Sequence, residues 1–205
     1  MRDTSTKEQL LESIRLIDGH FPLLDYHQER VDRSRKLLFP KAPGLKLRKI
    51  LAEAQYPQQG LFKARIIYGQ ELEELQFIPY KPKEVTSLKV VEANHIRYPK
   101  KLANRVAINE LLAKRGHCDD ILMTLSGFLT DASYANIALF DGSTWYTPAV
   151  PLLRGTRRAY LLHKGTIKTA VIRKKDLHYF ECLRLMNSML PWHEAPTIPI
   201  DNIMD

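Results

Sequence analysis

Two short runs, Asp120–Leu125 and Tyr134–Phe140, are almost continuously apolar, and they constrain the fold more than any other feature of the chain. A strand that alternates apolar and polar residues can face water on one side, but a continuous apolar run has to be covered on both faces. The second half therefore needs strands held between other layers. Composition agrees: 44% of the 205 residues are hydrophobic and 26% charged, which excludes a disordered chain. A chain this long can bury roughly 70% of the surface it exposes when unfolded, without help from disulfides or metals. The apolar stretches are broken at Ser126 and Gly127, well short of the roughly 20 residues a membrane helix needs. The N-terminus carries charge of both signs and no apolar core, unlike a signal peptide. The expected setting is cytoplasmic.

Punctuation divides the rest. Asp18-Gly19 is a turn signal and predicts a hairpin of Gln9–Ile17 with Phe21–Leu24. The charged, periodic run from Asp25 to Leu38 predicts a helix stopped before Pro40, and Leu45–Ala54 predicts a second, closed by Pro57. Three β-rich runs follow: Leu61–Tyr68, Leu72–Tyr80 and Ser87–Ile96. Arg97-Tyr98-Pro99 reads as an extended linker. Beyond it a helix is expected from Leu102 to Arg115, with Gly116 at its C-cap. The two apolar strands come next, then Asp141-Gly142 turning into Thr144–Thr147. A helix from Gly155-Thr156, a strand Ile167–Ile172, a helix Lys174–Phe180 and a strand Cys182–Met186 complete the chain. The fold class is α+β / α/β, in two subdomains, 1–96 and 97–205, with no internal repeat.

Thirty-one Lys and Arg against 23 acids give a net charge of +8, which suggests an anionic partner, either nucleic acid or a phosphate-bearing cofactor. The basic residues are spread out, densest at Lys46/Arg48/Lys49, Arg154/Arg157/Arg158 and Arg173/Lys174/Lys175, as on a solvated surface. Cys118 and Cys182 fall in no metal-ligand or redox spacing. No metal site is expected, and both read as small core residues.

Four features could carry chemistry, each with a plain alternative. Lys100-Lys101 could supply a Schiff-base amine or be a surface doublet. Asp131, between apolar strands, could hold a proton on a ring nitrogen or cap its own turn. Gly155-Thr156 could bind phosphate at a helix start or be an ordinary N-cap. His27 to Ser34 could present Arg30 to a phosphate or form a charged helix face.

The order of these features is more specific than any one of them. His27-x-x-Arg30, Lys101-x-x-Asn104, Thr130-Asp131-Ala132-Ser133-Tyr134-Ala135-Asn136-Ile137, Thr147-Pro148 and Gly155-Thr156-Arg157 stand in that sequence, preceded by Glu12-Ser13-Ile14. Over residues 11 to 165 the chain resembles the class IV (fold-type IV) pyridoxal-phosphate-dependent aminotransferases. That family includes D-amino-acid and branched-chain aminotransferases and aminodeoxychorismate lyase. The resemblance implies the two-subdomain fold of the D-amino-acid aminotransferase-like enzymes, with the active site in the cleft between subdomains. It implies pyridoxal 5'-phosphate as cofactor, Lys101 as the lysine that forms its aldimine and shuttles the α-proton, and Arg30 with Gly155 and Thr156 on its phosphate. Asp131 would contact the pyridine nitrogen. The implied reaction is amino transfer between an amino acid and a keto acid; the alternative is aminodeoxychorismate lyase, a C–O cleavage that releases pyruvate and gives 4-aminobenzoate.

The resemblance further implies a homodimer acting on a small-molecule substrate, with no nucleic acid and no membrane as partner. The chain departs from the family in using Asp131 where many members have Glu, in being shorter, and in lacking the arginine-rich segments that grip a substrate carboxylate. Arg65, Arg97 and Tyr98 are candidates for that grip. A member that binds the cofactor but has lost turnover is a further alternative. A basic nucleic-acid-binding protein, suggested by charge alone, is the remote one, since no binding motif is present.

Overall fold

A computed structural model of the chain describes residues 8–205. They form two compact units, one made of residues up to Lys81 together with Lys100–Asn104, the other of Pro82–Pro99 and Arg105–Asp205.

The first unit contains β1 (Leu10–Ile17), α1 (Leu24–Leu38), α2 (Leu47–Ala52), β2 (Leu61–Tyr68) and β3 (Leu72–Pro79). The strands form an antiparallel sheet in the order β1-β2-β3. The expected hairpin partner of β1 is replaced by β2, paired from Leu10↔Tyr68 to Ile17↔Leu61. Asp18 and Gly19 do turn, at φ 46° and 76°, but only one isolated bridge, Ile17↔His20, forms beyond them. Pro22 cannot donate to a ladder, and the chain passes directly into α1. The free edge of β1 is taken by the returning segment: Leu11 N–H donates to the Lys101 carbonyl at 2.8 Å and Ala103 N–H to the Gln9 carbonyl at 2.8 Å. Leu10, Ile14, Val31, Leu47, Leu51, Ala64 and Ile66 fill the core of this unit.

The second unit contains β4 (Leu88–Glu92), α3 (Val106–Leu112), β5 (Asp120–Leu125), β6 (Phe128–Ala132), β7 (Asn136–Phe140), β8 (Trp145–Pro148), α4 (Thr156–His163), β9 (Lys168–Ala170), β10 (Cys182–Met186), β11 (Thr197–Pro199) and β12 (Ile203–Met204). Its nine-stranded sheet runs β11-β10-β7-β6-β5-β4-β12, with β8 joining β7 to β9. The pairs β4–β5, β4–β12 and β8–β9 are parallel and the others antiparallel. The apolar run of β5 is buried from Asp120 to Thr124, as continuous apolarity requires. Leu122, Ile137, Leu139, Leu183, Leu185 and Ile198 form the main core cluster.

Local signals located elements better than partners. The run at Ser87–Ile96 forms the shorter β4, and it pairs in parallel with β5 instead of extending the first sheet. Parallel neighbours need a long crossover, which the sequence cannot assign to a particular pair. The helix expected from Leu102 begins only at Val106, because 101–103 are held along β1. It continues as a 3-10 turn to Arg115 and stops at Gly116, φ 60°. The helix expected at Lys174–Phe180 is a 3-10 segment, Lys174–Tyr179. The segment between the two apolar runs, which carries Asp131, contains β6. Both cysteines are free and half-buried, rather than core residues.

Candidate functional site

β1 carries one acid on its apolar face. Leu10, Glu12 and Ile14 alternate on the buried side, and all three are fully buried. α1 meets this acid with His27 and Arg30; with Val31, Ser34 and Arg35 they are its buried residues, at the i, i+3, i+4 spacing that puts them on one face. Arg30 grips Glu12 side-on, Nε to Oε1 at 2.8 Å and Nη2 to Oε2 at 2.5 Å, while His27 Nδ1 lies 2.5 Å from Oε2. Burial alone would push the Glu12 carboxyl up. The charge of Arg30 and hydrogen bonds from His27 and Arg30 outweigh it and hold the carboxyl at about 2. Because that carboxylate stays ionised, His27 Nδ1 must carry the proton it shares. Burial pushes the His27 ring toward its neutral form, and although Glu12 opposes this, the charges of Arg30 and Lys101 add to it.

The two lysines of the doublet part company. Lys100 Nζ lies 3.2 Å from Glu8 Oε2 in a half-exposed ion pair. Lys101 is fixed through its backbone on β1, and its charge bears on His27. Of the residues considered for a substrate carboxylate, Arg65 Nη1 is 2.5 Å from Glu74 Oε2. Arg97 Nη1 donates to the carbonyls of Asn94 and Ile96, and Tyr98 packs on the cluster of Val91, Ile96 and Leu111.

In the second unit, Asp131 on β6 is 4% exposed and stands opposite Asn136 in the β6–β7 register. Asn136 Nδ2 donates to Asp131 Oδ1 at 2.6 Å and to the Leu153 carbonyl at 2.8 Å, and Leu153 N–H donates to Asp131 Oδ2 at 2.9 Å. These bonds close a ring that ties β6, β7 and the segment before α4. Burial pushes the Asp131 carboxyl up to about 6, against the pull of Asn136, the Leu153 N–H and the charge of Arg158. Gly155 caps α4 at φ −72°, so its role is space rather than backbone freedom: a Cβ there would come within 2.0 Å of Asn136 Oδ1. Thr156, Arg157 and Arg158 follow as buried residues of α4.

Each unit, taken by itself, carries groups whose chemistry suits part of pyridoxal phosphate. Arg30 offers a nearly buried guanidinium and α4 a helix start with Thr156, both chemistries that bind phosphate. Asp131 is a buried carboxylate that accepts N–H bonds from Asn136, Leu153 and Leu152, and a carboxylate is the acceptor a cationic ring N–H needs. Lys101 supplies an amine. Sequence reasoning quoted Glu12 and Asn136 within motifs without assigning their partners, and it missed Arg158. The signal for Glu12 was available, as a lone acid at an apolar position of an alternating strand.

Two substitutions probe this construction. Glu12 titrates lower in the folded than in the unfolded chain, so its contribution is complete above about pH 4.5 and drains away as pH falls toward 2. That contribution is about 3 kcal/mol. Glu12→Gln should remove this part of the acid slope in urea unfolding between pH 5 and pH 3 (about 2 units) and lower stability at neutral pH by leaving Arg30 buried without its anion. An unchanged slope would remove Glu12 from the account. Gly155→Ala should cost about 2 kcal/mol through the clash with Asn136, and the same change in an Asn136→Ala background should cost much less; equal costs would show that the clash is not the cause.

The sequence matches the amino-transferase class IV family over residues 9–198. A solved structure provisionally named as a 4-amino-4-deoxychorismate lyase, from Haemophilus somnus 129PT, is 34% identical with a TM-score of 0.84, covering 89% of this chain and 97% of that one. An uncharacterized protein of Haemophilus influenzae is 33% identical over 183 residues, 88% of this chain and 97% of its own. A provisionally named aminodeoxychorismate lyase of Schizosaccharomyces pombe is 28% identical over 204 residues, covering 89% of this chain and 87% of its own. Since the Haemophilus proteins are matched over nearly their whole length, shortness is a trait this chain shares with them. The ordered motifs, the fold that carries them and these likenesses lead to one conclusion: the chain belongs to the class IV aminotransferase family of pyridoxal-phosphate-dependent enzymes.

Proposed function

We propose that the chain binds pyridoxal 5'-phosphate and releases pyruvate from 4-amino-4-deoxychorismate, leaving 4-aminobenzoate. The observation that carries this reading is the likeness to the Haemophilus somnus protein, 34% identical over 89% of the chain and provisionally named for that reaction; the Schizosaccharomyces pombe relative bears the same provisional name. Amino transfer between an amino acid and a keto acid, expected from the sequence, is the second reading and is supported by the family match itself.

Bound pyridoxal phosphate supplies an electron sink for the pair released at the carbon bearing the substrate amine. The residues of the chain do the rest. Lys101 would hold the cofactor through its amine and would serve as the base for the proton on the carbon bearing the substrate amine. Arg30, Gly155 and Thr156 would hold the phosphate. Asp131 would accept the N–H of the ring nitrogen. In the lyase reading Lys101 takes the proton from the carbon bearing the amine, and the neighbouring C–O bond breaks with its electron pair leaving on the enolpyruvyl oxygen. A proton returned to the enol carbon then gives pyruvate. No external oxidant or second substrate is needed. The reading includes a cytoplasmic homodimer working on a small molecule, with neither nucleic acid nor membrane as partner. Among the described residues no helix is long and apolar enough to cross a membrane.

The test is a visible spectrum of the protein with added pyridoxal phosphate, before and after borohydride, beside Lys101→Ala. A yellow band that borohydride fixes onto the wild type and not onto the variant is expected; a colourless wild type would defeat the cofactor assignment. Pyruvate should then appear from aminodeoxychorismate with no keto acid present. Turnover that requires a keto acid would select amino transfer, and a yellow protein inert to both would be a member that has lost turnover. Asp131→Asn should keep bound cofactor and lose about a hundredfold or more in turnover; normal turnover would remove Asp131 from its role.

A further inference from the structure

The sheet of the first unit has a second face. Leu10, Ile14, Ala64 and Ile66 pack into the core shared with α1 and α2, so alternation puts their strand neighbours on the side away from the helices. Register lays that face out in rows. Between β1 and β2, Leu11 stands opposite Ile67, Ser13 opposite Arg65 and Arg15 opposite Lys63. On β3 the same rows continue to Glu74, Gln76 and Ile78. Three cations thus share two neighbouring rows, and the acid of the next row, Glu74, is taken by Arg65. Arg15 and Lys63 are direct cross-strand neighbours of like charge, an arrangement that costs stability. Arg15 is 7% exposed, which adds a desolvation cost. Lys63 is half-buried and makes no ion pair among the described residues.

This face ends at the lysine of the candidate site, which belongs to the same unit. Leu102 bridges Leu10 and packs on the core, so Lys101 takes the register position beside Leu11, its carbonyl accepting the Leu11 N–H at 2.8 Å. Counted along β1 from there, the Ser13–Arg65 row lies about 7 Å away and the Arg15–Lys63 row about 14 Å. Long side chains shorten that gap from both ends to the size of a small ring. Two like charges held side by side are relieved by an anion placed between them, and an apolar or cationic occupant would leave them unrelieved.

We propose that Arg15 and Lys63 bind a carboxylate of the substrate on this face of β1-β2-β3. The inference rests on the reaction proposed above and names its substrate class: a ring with an amine at one end, for Lys101, and a carboxylate at the opposite end, as in 4-aminobenzoate.

The test titrates the protein, with pyridoxal phosphate added, with 4-aminobenzoate and with 4-aminobenzamide, its uncharged counterpart, by calorimetry. Kinetics with aminodeoxychorismate are followed by pyruvate release. The wild type should bind the acid about tenfold more tightly than the amide. Lys63→Gln should remove most of that preference by weakening the acid alone, and should raise KM more than it lowers kcat; Lys63→Arg should restore both. Arg15→Gln should act in the same direction, and if loss of a buried arginine prevents folding, the two Lys63 variants carry the test. Equal binding of acid and amide by the wild type, or an unchanged preference in Lys63→Gln, would overturn the proposal. A changed oligomeric state of Lys63→Gln in sedimentation, with the preference intact, would overturn it too and make the face an interface between copies. Pyruvate release by Lys63→Gln at the wild-type KM would defeat this inference and leave the lyase reading standing. A wild type that shows the Lys63-dependent preference but releases no pyruvate would defeat that reading and leave the carboxylate site standing.

Discussion

A carboxylate removed from water must be met by a cation or by enough donors to replace its hydration, and each unit buries at least one such group. In the first unit the group is Glu12, fully buried in the middle of a strand whose other inward residues are Leu and Ile. Its presence there explains why α1 turns His27 and Arg30 toward the interior when an ordinary amphipathic helix would turn apolar residues inward; Arg35, also buried, is met by the Gly69 and Pro43 carbonyls instead. The side-on fork of Arg30 fixes the guanidinium plane in two directions, because both of its bonds end on one carboxylate. An arginine prepared in this way has lost its rotamer freedom before any ligand arrives.

Asp131, a buried carboxylate of the second unit, has the opposite environment and shifts the opposite way. Asp131 is met by an amide and backbone N–H groups rather than by a hydrogen-bonded cation, and burial wins. Glu12 is locked in its anionic form by Arg30 and His27, whereas burial moves Asp131 toward its neutral form. That contrast separates a structural ion pair from a group suited to hold a proton on a ligand. The hydrogen-bonded ring of Asp131, Asn136 and Leu153 shows how tightly that group is placed. It also accounts for Gly155 by contact, since the side chain of Asn136 occupies the space a Cβ would need.

Much of this was legible in residue order. The apolar run of β5, the strand at Leu61–Tyr68, the stop before Pro40 and the cap at Gly116 follow from signals a few residues long, and each is observed. The doublet Lys100-Lys101 shows where that reach ends. Both residues have the same chemistry, and motif spacing favoured the second; in the fold, Lys100 pairs with Glu8 while Lys101 is pinned against β1. Arg158 stands in a basic cluster with Arg154 and Arg157 that reads as solvated surface. Only burial distinguishes it from exposed Arg154.

By itself the sequence determined which elements form and in what order the motif residues stand, because turn chemistry, proline stops and apolar periodicity act over a few residues. Tertiary structure alone decided what each element meets. It paired β1 with β2 rather than with its neighbour in the chain, gave β4 to β5, and returned Lys101 to the edge of β1. It also set the charge states of Glu12 and Asp131. The physical reason is common to all of these outcomes: strand pairing, desolvation and through-space charge depend on groups far apart in sequence, and no local pattern encodes which of them will become neighbours.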